Sequence, residues 1–183
     1  MENKELNDVL SNLNELLEST NLENVTSESS GYEEVKDGYY LCEVEKAELT
    51  ISKNSGNPQV FFQMKIVDDG YDCVFDEEQK VSDIVRNNGT KNRKIFNYFP
   101  LTTEQNVKRF VTDMLKFEGD VAGESLLDKE CFTNSELLED ALSILIGRRI
   151  YVKISTTNGK DGKDTTWKNF ISWRVATSLG LPE

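Results

Sequence analysis

The sequence predicts a mainly β protein: a five-stranded barrel with helices between strands three and four, preceded by an amphipathic N-terminal helix. Three observations predict it. Several stretches alternate with period two, the period of a strand whose successive side chains point to opposite faces. Turn chemistry separates them at Lys53-Asn54-Ser55-Gly56-Asn57-Pro58, at Asp68-Asp69-Gly70 and at Asn158-Gly159-Lys160-Asp161-Gly162. Between the third and fourth strands the apolar residues instead recur at helical spacing.

Taken in order, residues 4–18 read as a helix, with Leu6, Val9, Leu10, Leu13, Leu16 and Leu17 on one face. Residues 19–30 are polar and rich in Asn, Ser, Thr and Glu, a linker by composition. So short a helix is marginal alone, because nucleation costs more than its few hydrogen bonds return. Its stripe needs a surface, either the chain's own barrel or, through Leu6, Leu10, Leu13 and Leu17, a second copy or another protein. The first strand runs over 39–51 and bends near Lys46-Ala47, where the apolar parity switches as at a β-bulge. Strand two covers 59–67. Residues 71–92 read as an acidic insertion with a hairpin signal at Asn88-Gly89. Its Asp72, Asp76, Glu77, Glu78 and Asp83 lack the spacing of a calcium loop, so a solvated loop is expected there and no metal site.

Strand three, 93–99, ends at Pro100. Thr102 and Gln105 form a capping box for a helix burying Val107, Phe110, Val111, Met114 and Leu115. A second helix is capped by Asn134 or Ser135, carries Leu137, Leu138, Ala141, Leu142 and Leu145, and stops at Gly147. Strand four covers 148–155 and strand five 165–175. A bent first strand, five strands and helices in that place describe an OB-fold barrel over 31–183, with 1–30 set apart.

Composition narrows the chemistry. There are no histidines, so the commonest general base and metal ligand are missing. Cys42, Cys73 and Cys131 are widely spaced with no CxxC pair, which fits a reducing compartment and neither a disulfide framework nor a zinc site. No window holds the roughly 18 apolar residues of a membrane helix, and the first residues lack signal-peptide order. A cytoplasmic protein with no membrane contact is expected. No phosphate-binding glycine loop, G-x-S-x-G elbow or H-E-x-x-H motif occurs. Glu34-Val35-Lys36 resembles a nuclease triplet but precedes the first strand without an upstream Pro-Asp pair. The expectation is a non-enzymatic protein without cofactor.

The net charge of -12 is unevenly spread: residues 1–30 carry -6, 31–90 carry -7, 91–140 carry -3 and 141–183 carry +4. Acidity counts against nucleic-acid binding as a whole-chain property, but counterion release depends only on the phosphates contacted. The bases lie where the rings lie. In 60–66, Phe61 and Lys65 share a parity with Gln63; in 94–98, Lys94, Phe96 and Tyr98 do; in 149–154, Arg149, Tyr151 and Lys153; and in 168–174, Lys168, Phe170 and Arg174. A face pairing rings with cations suits bases that stack and phosphates that carry charge. Lys160 and Lys163, in the glycine-rich connection, occupy the loop through which OB barrels often grip oligonucleotides. Each ring taken singly reads as core; it is the recurrence of Lys or Arg beside it that favours binding, since buried unpaired cations are costly. Trp167 and Trp173 share the opposite parity with Ile171 and read as core, although Trp167 starts its strand beside that loop and is placed to stack on a base.

The run Gly38-Tyr39-Tyr40, Val44-Glu45-Lys46-Ala47-Glu48, Ser55-Gly56-Asn57-Pro58 and Phe62-Gln63-Met64-Lys65-Ile66-Val67, followed by Arg93-Lys94-Ile95-Phe96-Asn97-Tyr98-Phe99, is similar to a family of bacteriophage proteins. These are small OB-fold proteins regarded as single-stranded DNA-binding proteins of phage replication and recombination. The similarity covers about residues 32–116 and, more weakly, 147–175. It implies that the chain binds single-stranded DNA in the host cytoplasm, and that a phage or host replication protein is a candidate partner for the leucine stripe. The rival expectation, favoured by the charge and the acidic insertion, is an acidic protein-interaction module that inhibits or recruits a nucleic-acid enzyme.

Overall fold

A computed structural model describes residues 2–19 and 35–183. The chain divides into two units, Met1–Glu34 and Val35–Glu183. In the first, α1 spans Glu2–Ser19, and its Leu10, Leu13, Leu16 and Leu17 are exposed. The expected linker beyond Ser19 and the side chains of Leu6 and Val9 lie outside the described residues.

The second unit is mainly β, one antiparallel sheet of seven strands: β1 (Gly38–Ile51), β2 (Pro58–Ile66), β3 (Gly70–Phe75), β4 (Val81–Asn87), β5 (Lys94–Pro100), β6 (Arg149–Asn158) and β7 (Asp164–Ile171). Strand β1 organises it. Its first half pairs with β6 and touches β3, while the stretch from Cys42 onward pairs with β2, which in turn pairs with β5. The register shifts between Val44 and Lys46, so both Glu45 and Lys46 turn outward and the inward parity passes from Tyr40, Cys42 and Val44 to Ala47 and Leu49. That is the expected bulge, one residue early.

The five-stranded closed barrel is corrected on two counts. The acidic stretch 71–92 is no solvated loop: β3 and β4 form a hairpin that extends the sheet. Its turn lies at 76–80, where the Asp76 carboxylate accepts from the backbone N–H of Glu78 and Lys80, and Gln79 takes φ 62°. Asn88-Gly89 leads β4 onward instead. There the Asp69 carboxylate accepts from the N–H of Thr90 and Lys91, which holds its pKa below the usual carboxylate range. The sheet also does not close through a backbone ladder. β5 and β7 approach each other through side chains: Asn97 Nδ2 donates to Lys168 O (3.0 Å) and Lys168 Nζ donates to Phe96 O (2.6 Å).

The inner face is packed by Tyr40, Cys42, Phe62, Met64, Ile66, Ile150, Val152 and Phe170, all buried. Helices α2 (Glu104–Met114) and α3 (Ser135–Leu145) cover it with Phe110, Met114, Leu138, Leu142 and Leu145. Thr103, not Thr102, caps α2 by accepting from Asn106 N–H. Val107 and Leu137, expected in the core, are exposed at the rims of their helical faces. Asn134 caps α3 and Gly147, at φ 81°, turns the chain into β6. Burial pushes the Cys42 thiol pKa up, so no reactive thiolate is offered there.

Strand five, expected over 165–175, stops at Ile171. Ser172 caps a short helix, α4 (Trp173–Ser178), by accepting from Val175 N–H. This helix and Leu181 cover the outer face of β1 and β6 and build a second core with Tyr39 and Tyr151, against which Trp173 packs. The Tyr151 hydroxyl donates to Pro182 O, and burial pushes its pKa up to about 12; the Tyr40 hydroxyl is also raised by burial. Both folded values exceed the unfolded ~10, so the stability these groups contribute is complete below pH ~10, and the share of Tyr151 falls as pH rises through about 12. Unfolding midpoints should therefore drop over that window, and Tyr151→Phe should flatten the decline while phenolate absorbance reports the titration. An equal decline in the variant would show that Tyr151 is not the group responsible.

Candidate nucleic-acid interface

Within the second unit, no helix covers the outer face of β2, of β5 and of β1 from Glu43 onward. Register sets its rows: Glu48, Phe61 and Tyr98; Lys46, Gln63 and Phe96; Glu43, Lys65 and Lys94. Phe61 lies against both outward rings of β5, 6.1 Å and 12° from Phe96 and 5.1 Å from Tyr98. Tyr98 is 55 % exposed, whereas Phe61 and Phe96 are half-buried. A groove of about 790 Å³ runs from this cluster to the β1–β2 connection, lined by Phe61, Tyr98, Lys46 and Lys53.

The cations on this face have acidic neighbours. Lys94 Nζ is 3.2 Å from Glu45, Lys46 is 3.2 Å from Glu48, and Arg149 Nε is 3.2 Å from Glu43. Glu45 also accepts from Gln63 Nε2 at 2.8 Å. The Gln63 amide first, then Lys94, hold its carboxyl below the usual range against the opposing effect of burial. Such exposed pairs are worth only about 0–1 kcal/mol, so a phosphate competes with them on even terms. Lys65 and Lys94 stand directly opposite in the register. Like charges so placed repel, which an arriving anion relieves.

The other predicted residues divide. Arg149 borders the face through Glu43, while Lys153 sits 5.7 Å from the Tyr39 ring centroid beside the second core. Tyr151 keeps the expected parity but is buried, because α4 covers that part of the sheet. Phe170 is fully buried: β6–β7 register sets it opposite Val152 on the inner face, where it meets Phe62, Phe99 and Phe117 edge to face. The same parity turns Lys168 inward, to Phe96 O, and turns Trp167 outward, so Trp167 is 43 % exposed and not core. Arg174 lies on α4 and is exposed, away from the strand on which it was placed. Lys160 and Lys163 are exposed at the tip of the β6–β7 hairpin.

Sequence reading missed Lys46, Lys53 and Arg109 and misassigned Trp167. Lys46 was accessible from the parity switch, since a bulge at Glu45 must send Lys46 outward. Arg109 was not, because helical spacing does not reveal which strand edge a helix overhangs. It lines a second groove of about 300 Å³ between β5 and β7, together with Tyr98 and Trp167.

Among the described residues, no group of three or more His, Cys, Asp or Glu is arranged to hold a metal ion, and no helix is long and apolar enough to cross a membrane. Residues 22–169 match DUF669, a family described as proteins of unknown function. The chain belongs to the DUF669 family. No curated protein matches it. The family match spans the ring cluster, both grooves and most of the β6–β7 hairpin of this DUF669 protein, and stops before Phe170 and α4.

Proposed function

We propose that this DUF669 protein binds single-stranded DNA without catalysis, as a phage replication or recombination protein built on a partly open OB-like sheet. The observation that carries the reading is the Phe61–Phe96–Tyr98 cluster on an uncovered sheet face, flanked by Lys46, Lys65 and Lys94. Base stacking contributes about 1–3 kcal/mol per base, so the exposed Tyr98 and the half-buried Phe61 and Phe96 supply part of the about 8 kcal/mol of micromolar affinity, with phosphate contacts adding the rest. The order β5-β2-β1-β6-β7, with helices between β5 and β6, supports the OB-like assignment, as does a groove beside the β1–β2 connection. The phage role rests on the sequence similarity carried by Gly38–Val67 and Arg93–Phe99.

The test is fluorescence anisotropy with labelled oligo(dT) at two salt concentrations. Binding that weakens with salt is expected; no binding at low salt, or binding indifferent to salt, removes the reading. An RNA strand of the same length serves as the arm for sugar preference.

Two further outcomes follow from the charges. Glu45→Gln removes the acid that occupies Lys94, so affinity at low salt should rise several-fold with a steeper salt dependence. Unchanged affinity would place Lys94 outside the phosphate path. Deleting residues 1–30 removes an acidic segment with no ring to stack and should leave oligo(dT) affinity unchanged or slightly higher. Loss of binding with the second unit still folded would assign the N-terminal unit to the site. The paired acids Glu43, Glu45 and Glu48 favour a second reading, an acidic module that captures a nucleic-acid enzyme; recovery of such an enzyme from nuclease-treated host lysate, with no oligonucleotide binding, would select it.

A further inference from the structure

The groove between β5 and β7 exists because these two strands approach without a ladder. Paired strands lie about 4.8 Å apart and leave no hollow between them. Here the spacing is held by Asn97 and Lys168, whose side chains bond to the opposing backbone, and a hollow of about 300 Å³ remains. That volume is at the lower end of the ~300–1,000 Å³ typical of ligand pockets, room for one planar group and not a run of them.

Trp167 stands on the β7 side and Tyr98 on the β5 side. The indole N–H donates to Thr157 Oγ1 at 2.9 Å, which fixes the ring by its edge and leaves its faces unused by hydrogen bonding. Arg109 reaches the groove from α2, is exposed, and its guanidinium has no hydrogen-bond or ion-pair partner among the described residues. A ring anchored at its edge beside an unpaired guanidinium offers a stacking surface and a phosphate contact within one small hollow. Tyr98 lines this groove and the larger one, so a strand lying over Phe61 and Tyr98 continues into it.

We infer that the β5–β7 seam is a subsite for one unpaired nucleobase, which stacks on Trp167 while Arg109 meets an adjacent phosphate. The inference rests on the strand-binding reading and adds a position to its path, one that a fully paired barrel would not have.

The experiment uses the full chain, with tryptophan emission and anisotropy recorded together. The probes are oligo(dT) and an abasic oligonucleotide of equal length and charge. Oligo(dT) is expected to quench wild-type emission, and the abasic strand to bind more weakly without that quench. Trp167→Phe should abolish the quench yet keep most of the affinity, because a ring remains; Trp167→Ala should lose about 5- to 150-fold, the effect of one base stack. Arg109→Ala should reduce the slope of log affinity against log salt by about 0.7, one phosphate on a single strand. Wild-type affinity in Trp167→Ala, or a quench that persists in Trp167→Phe, overturns the subsite while leaving the ring face intact as a binding surface. No anisotropy change with either probe overturns both.

Discussion

Replacing Phe61 and Tyr98 together by alanine is expected to weaken oligo(dT) binding by about 2–6 kcal/mol, two base stacks at about 1–3 kcal/mol each. Additivity is an upper bound here, since the rings touch at 5.1 Å and neighbouring substitutions couple. The fold should persist. Phe61 is half-buried and Tyr98 mostly exposed, and both project from the outer face, while the core beneath is built from Val60, Phe62, Met64 and Ile95. Anisotropy reads the affinity and urea unfolding reads the fold. A variant that binds like the wild type would show the cluster to be sheet packing, because cross-strand aromatic pairs stabilise sheets with no ligand at all.

Phe170→Ala should act in the opposite sense, costing stability of about 3–5 kcal/mol. The ring is inaccessible and meets three other phenylalanines at centroid distances of 5.5 Å, so truncation leaves a cavity that the sheet and α2 cannot close together. Domains of this size are stable by only about 5–15 kcal/mol, so a large share of the total is at risk. Urea midpoints measure the loss. Wherever the variant remains folded, its oligo(dT) affinity should match wild type, since Phe170 touches no part of the outer face. Lost binding with unchanged stability would return Phe170 to the interface on which the sequence placed it.

These three residues show where sequence reading holds and where it stops. Alternation along 60–66 and 94–98 settles which side chains share a face, and for β2 and β5 the face that pairs rings with lysines is the outward one. The bulge near Lys46, the Asn134 cap and the stop at Gly147 are local chemistry, encoded within a few residues, and were legible for that reason. The same logic correctly gave Tyr151 the parity of Arg149 and Lys153. It could not show that this face is roofed, because the roof is α4, Trp173–Ser178, which forms after the strand ends.

Phe170 failed for a different reason. Period two tells that Lys168 and Phe170 share a side, but not which side. That is set by the β6–β7 register, Phe170 opposite Val152 and Trp167 opposite Ser155, and one residue of slip would exchange the two sets. The seam between β5 and β7 is likewise invisible in one dimension. Local pattern determines strand, turn and cap, because those energies come from neighbours in the chain. Which face is covered, which strands fail to pair and which ring meets solvent depend on contacts between separate elements, from Phe170 opposite Val152 and Trp173 against Tyr151 to Asn97 with Lys168, and these exist only once the sheet has assembled.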